Sequence, residues 1–223
     1  MKCVLLGGSG EVGRAVARAL IESDACSKLT MIGRRRIDEL DDAKVVQLVT
    51  DTSADDLEAV VEEAARGHDV AISCVGTGAG TASMSEAQLL EVEVVLMGKF
   101  ARGCKSAGIE IFELLTAVGV GERSSRSRIK YVRVLGKKLD TVMGVGFEKL
   151  AVFKPGTIVG NKHTPRWVTP FTGLIPDALG WGNIHQDEIA KAFVAHLVKV
   201  APTQREPVVS YENREMKQLI GAR

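Results

Sequence analysis

Near the start of the chain an apolar run, CVLL, stops at Gly7, Gly8, Gly10 and Gly13, and an amphipathic helical pattern, EVGRAVARAL, begins at once. Few folds have a use for a strand that turns into a helix across so many glycines. A backbone turn without Cβ atoms lets a pyrophosphate approach the amides at a helix N-terminus, and a last glycine lets helix and strand pack closely. The glycines fit two registers: Gly8, Gly10 and Gly13 spell G-x-G-x-x-G, whereas Gly7, Gly10 and Gly13 spell G-x-x-G-x-x-G. Both keep Gly10 and Gly13. Val12, Ala15, Val16 and Ala19 share the buried face of the predicted helix.

The rest of the chain supplies the context this turn needs. Short apolar runs at 2–6, 28–32, 44–49, 69–75, 110–115 and 149–155 alternate with helical patterns, which predicts βα units around a parallel sheet. The expected fold is α/β, a Rossmann doubly wound parallel sheet. At 223 residues the chain suits one domain over 1–223. Pro, Gly and Trp break the pattern after Gly156, so 156–185 is expected to form a small substrate lobe, before a last helix at about 186–199. The longest helical pattern has Ser83 and Glu86 as its expected capping box and Leu89, Val92, Leu96, Phe100 and Cys104 as its apolar stripe.

The end of the second run selects the cofactor. An NAD binder places an acidic residue there, roughly 20 positions beyond the glycines, to accept from the ribose 2′-hydroxyl. This chain reads MIGRRRID, with Arg34 and Arg35 where a carboxylate would stand. Arginine matches a phosphate bidentately, so the 2′-phosphate of NADP(H) is the expected ligand, with Arg34 first and Arg35 second.

LLGGSGEVG, SKLTMIGRRR, GHDVAISCVGTGAG, FELLT, the tyrosine opening the next helix, and VFKPGTIVG resemble, in that order, the atypical short-chain dehydrogenase/reductases. Among these the chain is most similar to the Tat-interacting protein family. The resemblance implies a cofactor site made of Gly7, Ser9, Gly10, Glu11, Val12, Gly13, Arg34, Arg35, Asp51, Val75, Gly76, Thr77 and Pro155. It also implies a Ser/Thr, Tyr and Lys constellation that reduces a small carbonyl substrate, and it points to Tyr131 and Thr116 as catalytic. The lysine expected four residues after the tyrosine is absent: Leu135 stands there. Lys137 and Lys138 lie six and seven residues on, and Lys138 reaches back only if the helix is irregular near Gly136. Ala117 stands where the family's second hydroxyl residue is usually Ser. The alternative to a reductase with a degraded triad is a non-catalytic nucleotide-binding redox sensor or protein-interaction module.

Composition removes other classes. A net charge of +1 gives no global argument for nucleic acid or an acidic membrane, and no stretch approaches the roughly 20 apolar residues of a membrane span. Cys3, Cys26, Cys74 and Cys104 have no C-x-x-C spacing and read as buried reduced thiols of a cytoplasmic protein. The run 122–138 holds seven basic residues (Arg123, Arg126, Arg128, Lys130, Arg133, Lys137 and Lys138) against one acid. It is expected to be a solvated face or the contact for a protein partner, without the aromatic interleaving that single-stranded nucleic acid needs. His163 and His185 have no ligand-spaced partners, so no metal site is expected. Trp167, Phe171 and Trp181 are expected in the core of the C-terminal lobe, and the protein is expected to be a monomer or homodimer.

Overall fold

A computed structural model describes residues 1–78, 81, 83–159 and 182–221. Its strands are β1 (Lys2–Leu6), β2 (Lys28–Gly33), β3 (Val45–Val49), β4 (Val70–Ser73), β5 (Ile111–Leu115), β6 (Lys149–Phe153), β7 (Thr157–Val159), β8 (Asn183–His185) and β9 (Val208–Tyr211). Seven of them form the main sheet, all parallel, in the order β3-β2-β1-β4-β5-β6-β9. Strands β7 and β8 pair with each other, also in parallel. The first six runs of the sequence are the first six strands. The last strand of the sheet, β9, is one the sequence reading missed: it is short, lies at the sheet edge and is only half-covered, so no continuous apolar run marks it.

Strand β1 sits centrally between β2 and β4, with Val4 opposite both Thr30 and Ala71. Its side chains alternate between two apolar layers. Cys3 and Leu5 enter the layer with Val16, Leu20, Phe153 and Phe193. Val4 and Leu6 enter the opposite layer with Val61, Phe100, Phe112, Leu135 and Leu139. Burial on both faces is why this strand reads as an unbroken apolar run. Helices α1 (Glu11–Glu22) and α6 (Gln186–Ala195) cover the first face, and α2 (Leu57–Ala65), α4 (Leu96–Ser106) and α5 (Lys130–Val145) the second. The C-terminal α7 (Asn213–Leu219) follows β9.

The expected capping box at Ser83 and Glu86 stands two residues further on. Ser85 accepts from Gln88 N at 3.2 Å, and Gln88 Oε1 accepts from Ser85 N at 2.9 Å, opening α3 (Glu86–Leu90). A π turn, Glu91–Val95, then joins α3 to α4. It corrects the predicted stripe: Glu93 and Met97 are buried, at 1% and 0% exposure, while Val92 and Leu96 are only half-buried. A second π turn, His196–Val200, extends α6.

The four cysteines are free and buried. His185 caps α6, accepting from Asp187 N while Glu188 accepts from His185 N, and no metal-binding cluster occurs among the described residues. His163, Trp167, Phe171, Trp181 and most of the expected lobe lie outside the described residues.

Candidate nucleotide site

Local sterics decide the glycine register. Gly7 has φ +91°, and a Cβ there would stand 2.7 Å from the backbone of Cys74 and Val75, so only glycine serves. A Cβ on Gly13 would meet Gly7 O at 2.1 Å, because α1 starts almost in contact with the turn it leaves. A Cβ on Gly8 would meet only the flexible end of Met31 at close range. Gly10 differs from all of these: its nearest neighbour is Gly7 O at 3.5 Å, so its Cβ direction is open. The register is therefore Gly7, Gly10 and Gly13, with the first and last required by the backbone and the middle one facing space. Gly10 is the N-cap of α1 and brings no side-chain cap, which leaves the first-turn amides to an outside acceptor.

That space is a cleft of about 380 Å³ at the point where β1 and β4 diverge in chain order. One wall carries Gly7, Ser9 and Gly10, a second Arg34, Arg35 and Asp51, and a third Val75, Gly76 and Val92. Of the three arginines Arg36 is engaged elsewhere, its Nη2 donating to Asp41 Oδ1 at 2.7 Å. Arg34 and Arg35 are exposed on the cleft rim. Asp51, which lines the cleft as Glu91 also does, accepts from the hydroxyl and amide of Ser53 at 2.6 and 2.9 Å, bonds that hold it below the usual carboxylate range. Glu11, Val12, Gly13, Thr77 and Pro155 stand outside the cleft lining; Val12 belongs to the core and Pro155 is buried behind β6, where its carbonyl accepts from Val118 N at 2.9 Å.

The second constellation lies beyond the strand ends. Thr116 follows β5, and its hydroxyl donates to Phe153 O at 3.4 Å, a bond turned toward the sheet. Tyr131, 37% exposed, is the second residue of α5. Partial burial, and after it the negative charge of Glu93, push its phenol up to about 12. This is opposite to the shift a proton-relaying tyrosine needs. Leu135 is 2% exposed and packed in the core with Phe112 and Leu139.

Lys138 does not reach back to Tyr131, and the irregularity near Gly136 that this would have needed is absent. Helix α5 is continuous, and Gly136 serves a close crossing, since a Cβ there would lie 2.1 Å from Ser125 N. Lys138 is itself buried at 1% exposure, its Nζ donating to Val75 O at 2.6 Å and to Glu93 Oε2 at 3.0 Å. The other Glu93 oxygen accepts from Thr77 N at 2.8 Å and from the Thr77 hydroxyl at 3.2 Å. Other members of the basic run are also tied inward. Arg133 makes a two-pronged pair with Glu86 at 3.0 and 2.7 Å, and Lys130 donates to Met84 O at 2.8 Å. Glu93, Val92, Leu96 and Gln47 were missed as site-forming residues: Glu93 falls four residues after Leu89, on the apolar stripe itself, but a charged residue is read as solvent-facing, and a π turn carries no strong sequence mark.

A parallel sheet in the order 3-2-1-4-5-6 with a glycine turn at its switch point defines a Rossmann dinucleotide-binding protein. The chain belongs to the NAD(P)H-binding family, whose model matches residues 7–141. It is 30% identical over 209 residues to Protein HTATIP2 of Rattus norvegicus, covering 91% of this chain and 83% of that protein. It is 24% identical over 235 residues to Protein FMP52-1, mitochondrial, of Scheffersomyces stipitis, covering 98% of each. Among solved structures it resembles the oxidoreductase ylbE from Lactococcus lactis, with a TM-score of 0.68 at 17% identity over 99% of this chain and 97% of that one. No helix among the described residues is long and apolar enough to cross a membrane.

Proposed function

We propose that this protein binds NADP(H) in preference to NAD(H) and is an atypical short-chain dehydrogenase/reductase whose tyrosine-dependent carbonyl reduction has decayed. The observation that carries the cofactor choice is the shared cleft: Arg34 and Arg35 line the same cleft as Gly7 and Gly10, and the carboxylate beside them, Asp51, is engaged by Ser53. Each charge-assisted bond to a 2′-phosphate contributes about 1.5–3 kcal/mol, one to two orders of magnitude in preference. The residues fit the nucleotide: the turn offers uncapped helix amides to a pyrophosphate, and the arginines offer two forks to the phosphate. When bound, the nucleotide supplies or takes up hydride. This chain's own residues then orient it, but Tyr131, whose phenol burial and the charge of Glu93 make a weaker acid, lacks the nearby ammonium that would ready its proton for transfer.

The protein then acts as a nucleotide-dependent sensor, with a contact surface at Arg123, Arg126 and Arg128 around the 65% exposed Ile129. We place it in the cytoplasm, on its four unpaired buried thiols. A second reading, a reductase of a small carbonyl compound with another proton donor, is favoured by Thr116 and Pro155 standing at the ends of β5 and β6. Titration calorimetry with NADPH and NADH tests the cofactor claim: at least tenfold tighter binding of NADPH is expected, and equal affinity, or none for either, would sink it.

A further inference from the structure

The Glu93 and Lys138 side chains are both 1% exposed, and neither belongs to the triad that the family resemblance implies. Two ions buried together gain little net stability over apolar residues of similar size, while breaking such a pair is costly. A pair of this kind therefore invites a question about position. Its four hydrogen bonds give the answer. Lys138 Nζ holds Val75 O and Glu93 Oε2, while Glu93 Oε1 holds Thr77 N and the Thr77 hydroxyl. The Thr77 hydroxyl in turn meets that of Thr81 at 2.8 Å. Both ends of the segment 75–77 are thus tied to one ion pair. Val75 and Gly76 within it form a wall of the nucleotide cleft, and Glu93 Oε1 lies 4.0 Å from where a Gly76 Cβ would stand.

Glu93 lies in the π turn Glu91–Val95, which also carries Val92 and runs directly into Leu96, two half-buried residues of the cleft lining. One short segment thus supplies two parts of the same pocket, apolar side chains of its lining and the ionic tie behind the Val75–Gly76 loop.

We infer that Glu93 and Lys138 are positioning residues for the nucleotide: a buried pair, delivered by a π turn on one side and by α5 on the other, that holds the segment 75–77 and so sets where the Val75–Gly76 wall of the cleft stands. The inference rests on the NADP(H) reading. Neither side chain needs to touch the nucleotide; both act through the backbone of 75–77.

The test separates positioning from mere stabilisation by comparing NADPH affinity with thermal stability. Lys138→Met leaves Glu93 buried without its counter-charge, so both should fall. In Glu93→Gln/Lys138→Met the unpaired charge is gone and the amide introduced at position 93 keeps an acceptor for Thr77 N, so the melting temperature should recover. The Val75 carbonyl remains unheld, and NADPH affinity should stay about tenfold below that of the unaltered protein. If Lys138→Met fails to fold, the double variant decides alone. Affinity that returns to the unaltered value together with stability would overturn the positioning role and leave the cofactor reading intact. Failure of the unaltered protein to bind either NADPH or NADH would overturn both.

Discussion

The glycine-turn end and the Tyr131 end of the proposed site are built on different physics. At the glycine turn recognition depends on backbone: a positive φ at Gly7, an open direction at Gly10 and uncapped amides at the start of α1. At the Tyr131 end it depends on a hydroxyl residue, Tyr131 and a lysine meeting in one place, and the partners of Tyr131 are missing or committed elsewhere. Thr116 is bonded to Phe153 O, Leu135 is in the core, and Lys138 is spent on Val75 and Glu93. A backbone cradle survives change at most neighbouring positions because amides are common to every residue, whereas a side-chain triad is lost with one substitution. Nucleotide binding without efficient turnover is the expected result.

The sharpest test of the contrast is Gly10→Val. Its Cβ has room in the protein, so the fold should persist while nucleotide binding falls below detection by calorimetry. Gly13→Ala should do the reverse: with Gly7 O only 2.1 Å from the added carbon, stability should fall by several kcal/mol, in the range of overpacked or strained sites. A Gly10→Val protein that still binds NADPH would remove the turn from the site. Next in size comes Arg34→Asp, which deletes one phosphate fork and offers a carboxylate to the ribose hydroxyls. The ratio of NADPH to NADH affinity should drop by one to two orders of magnitude, and an unchanged ratio would assign the preference to other residues.

Restoring lysine at position 135 is the natural attempt to rescue the second end, and the structure predicts that it fails. Leu135 is packed among Phe112, Leu139 and Val142, so Leu135→Lys must bury an ammonium or drag it out of the core. We expect a lower melting temperature and no gain in NADPH oxidation; a clear rise in rate would reopen the triad.

Much of the first end was legible in sequence and little of the second. Six strands, the glycine turn and the arginines at the end of β2 follow from alternation, spacing and charge. The choice between glycine registers needed the structure, because Gly7 and Gly8 are told apart by the positive φ of Gly7 and by what a Cβ would strike. Glu93 and Lys138 were hidden for a stronger reason. Charged residues are read as solvent-facing, and a π turn shifts the helical phase by one residue with nothing in the local composition to announce it. The buried Glu113, in the middle of β5, escaped for the same reason: EIFELL reads as an apolar strand, yet it carries a carboxylate at 0% exposure, 2.7 Å from His196 Nδ1.

Glu113 adds a pH dependence beneath the second end, on the strand that carries Thr116. Burial pushes its carboxyl up to about 7, with the His196 hydrogen bond acting in the opposite direction. The folded protein therefore holds this proton more tightly than the unfolded chain, whose carboxyl titrates near about 4.3. The resulting stabilisation is complete below that unfolded value and is lost as pH rises through about 7, at no more than about 1.4 kcal/mol per pH unit. Thermal melts across this window should show the decline in the unaltered protein and a flatter profile in Glu113→Gln. Parallel profiles would mean that the proton resides elsewhere.

The smallest expected effect is the most informative about chemistry. Tyr131→Phe removes one hydroxyl from a ring that is 37% exposed, so its cost in stability should be slight. If Tyr131 relayed protons, losing that hydroxyl would cost about 10²- to 10⁴-fold in rate. Its phenol, however, is pushed up to about 12 by burial and by Glu93, which makes it a weaker acid than an ordinary tyrosine, with no ammonium in reach to offset the shift. Any residual oxidation of NADPH by aldehydes or quinones should therefore be the same in Tyr131→Phe and the unaltered protein, measured by the loss of NADPH absorbance. Brisk turnover that disappears with the hydroxyl would break the contrast between the two ends, because it would place Tyr131 in a working site.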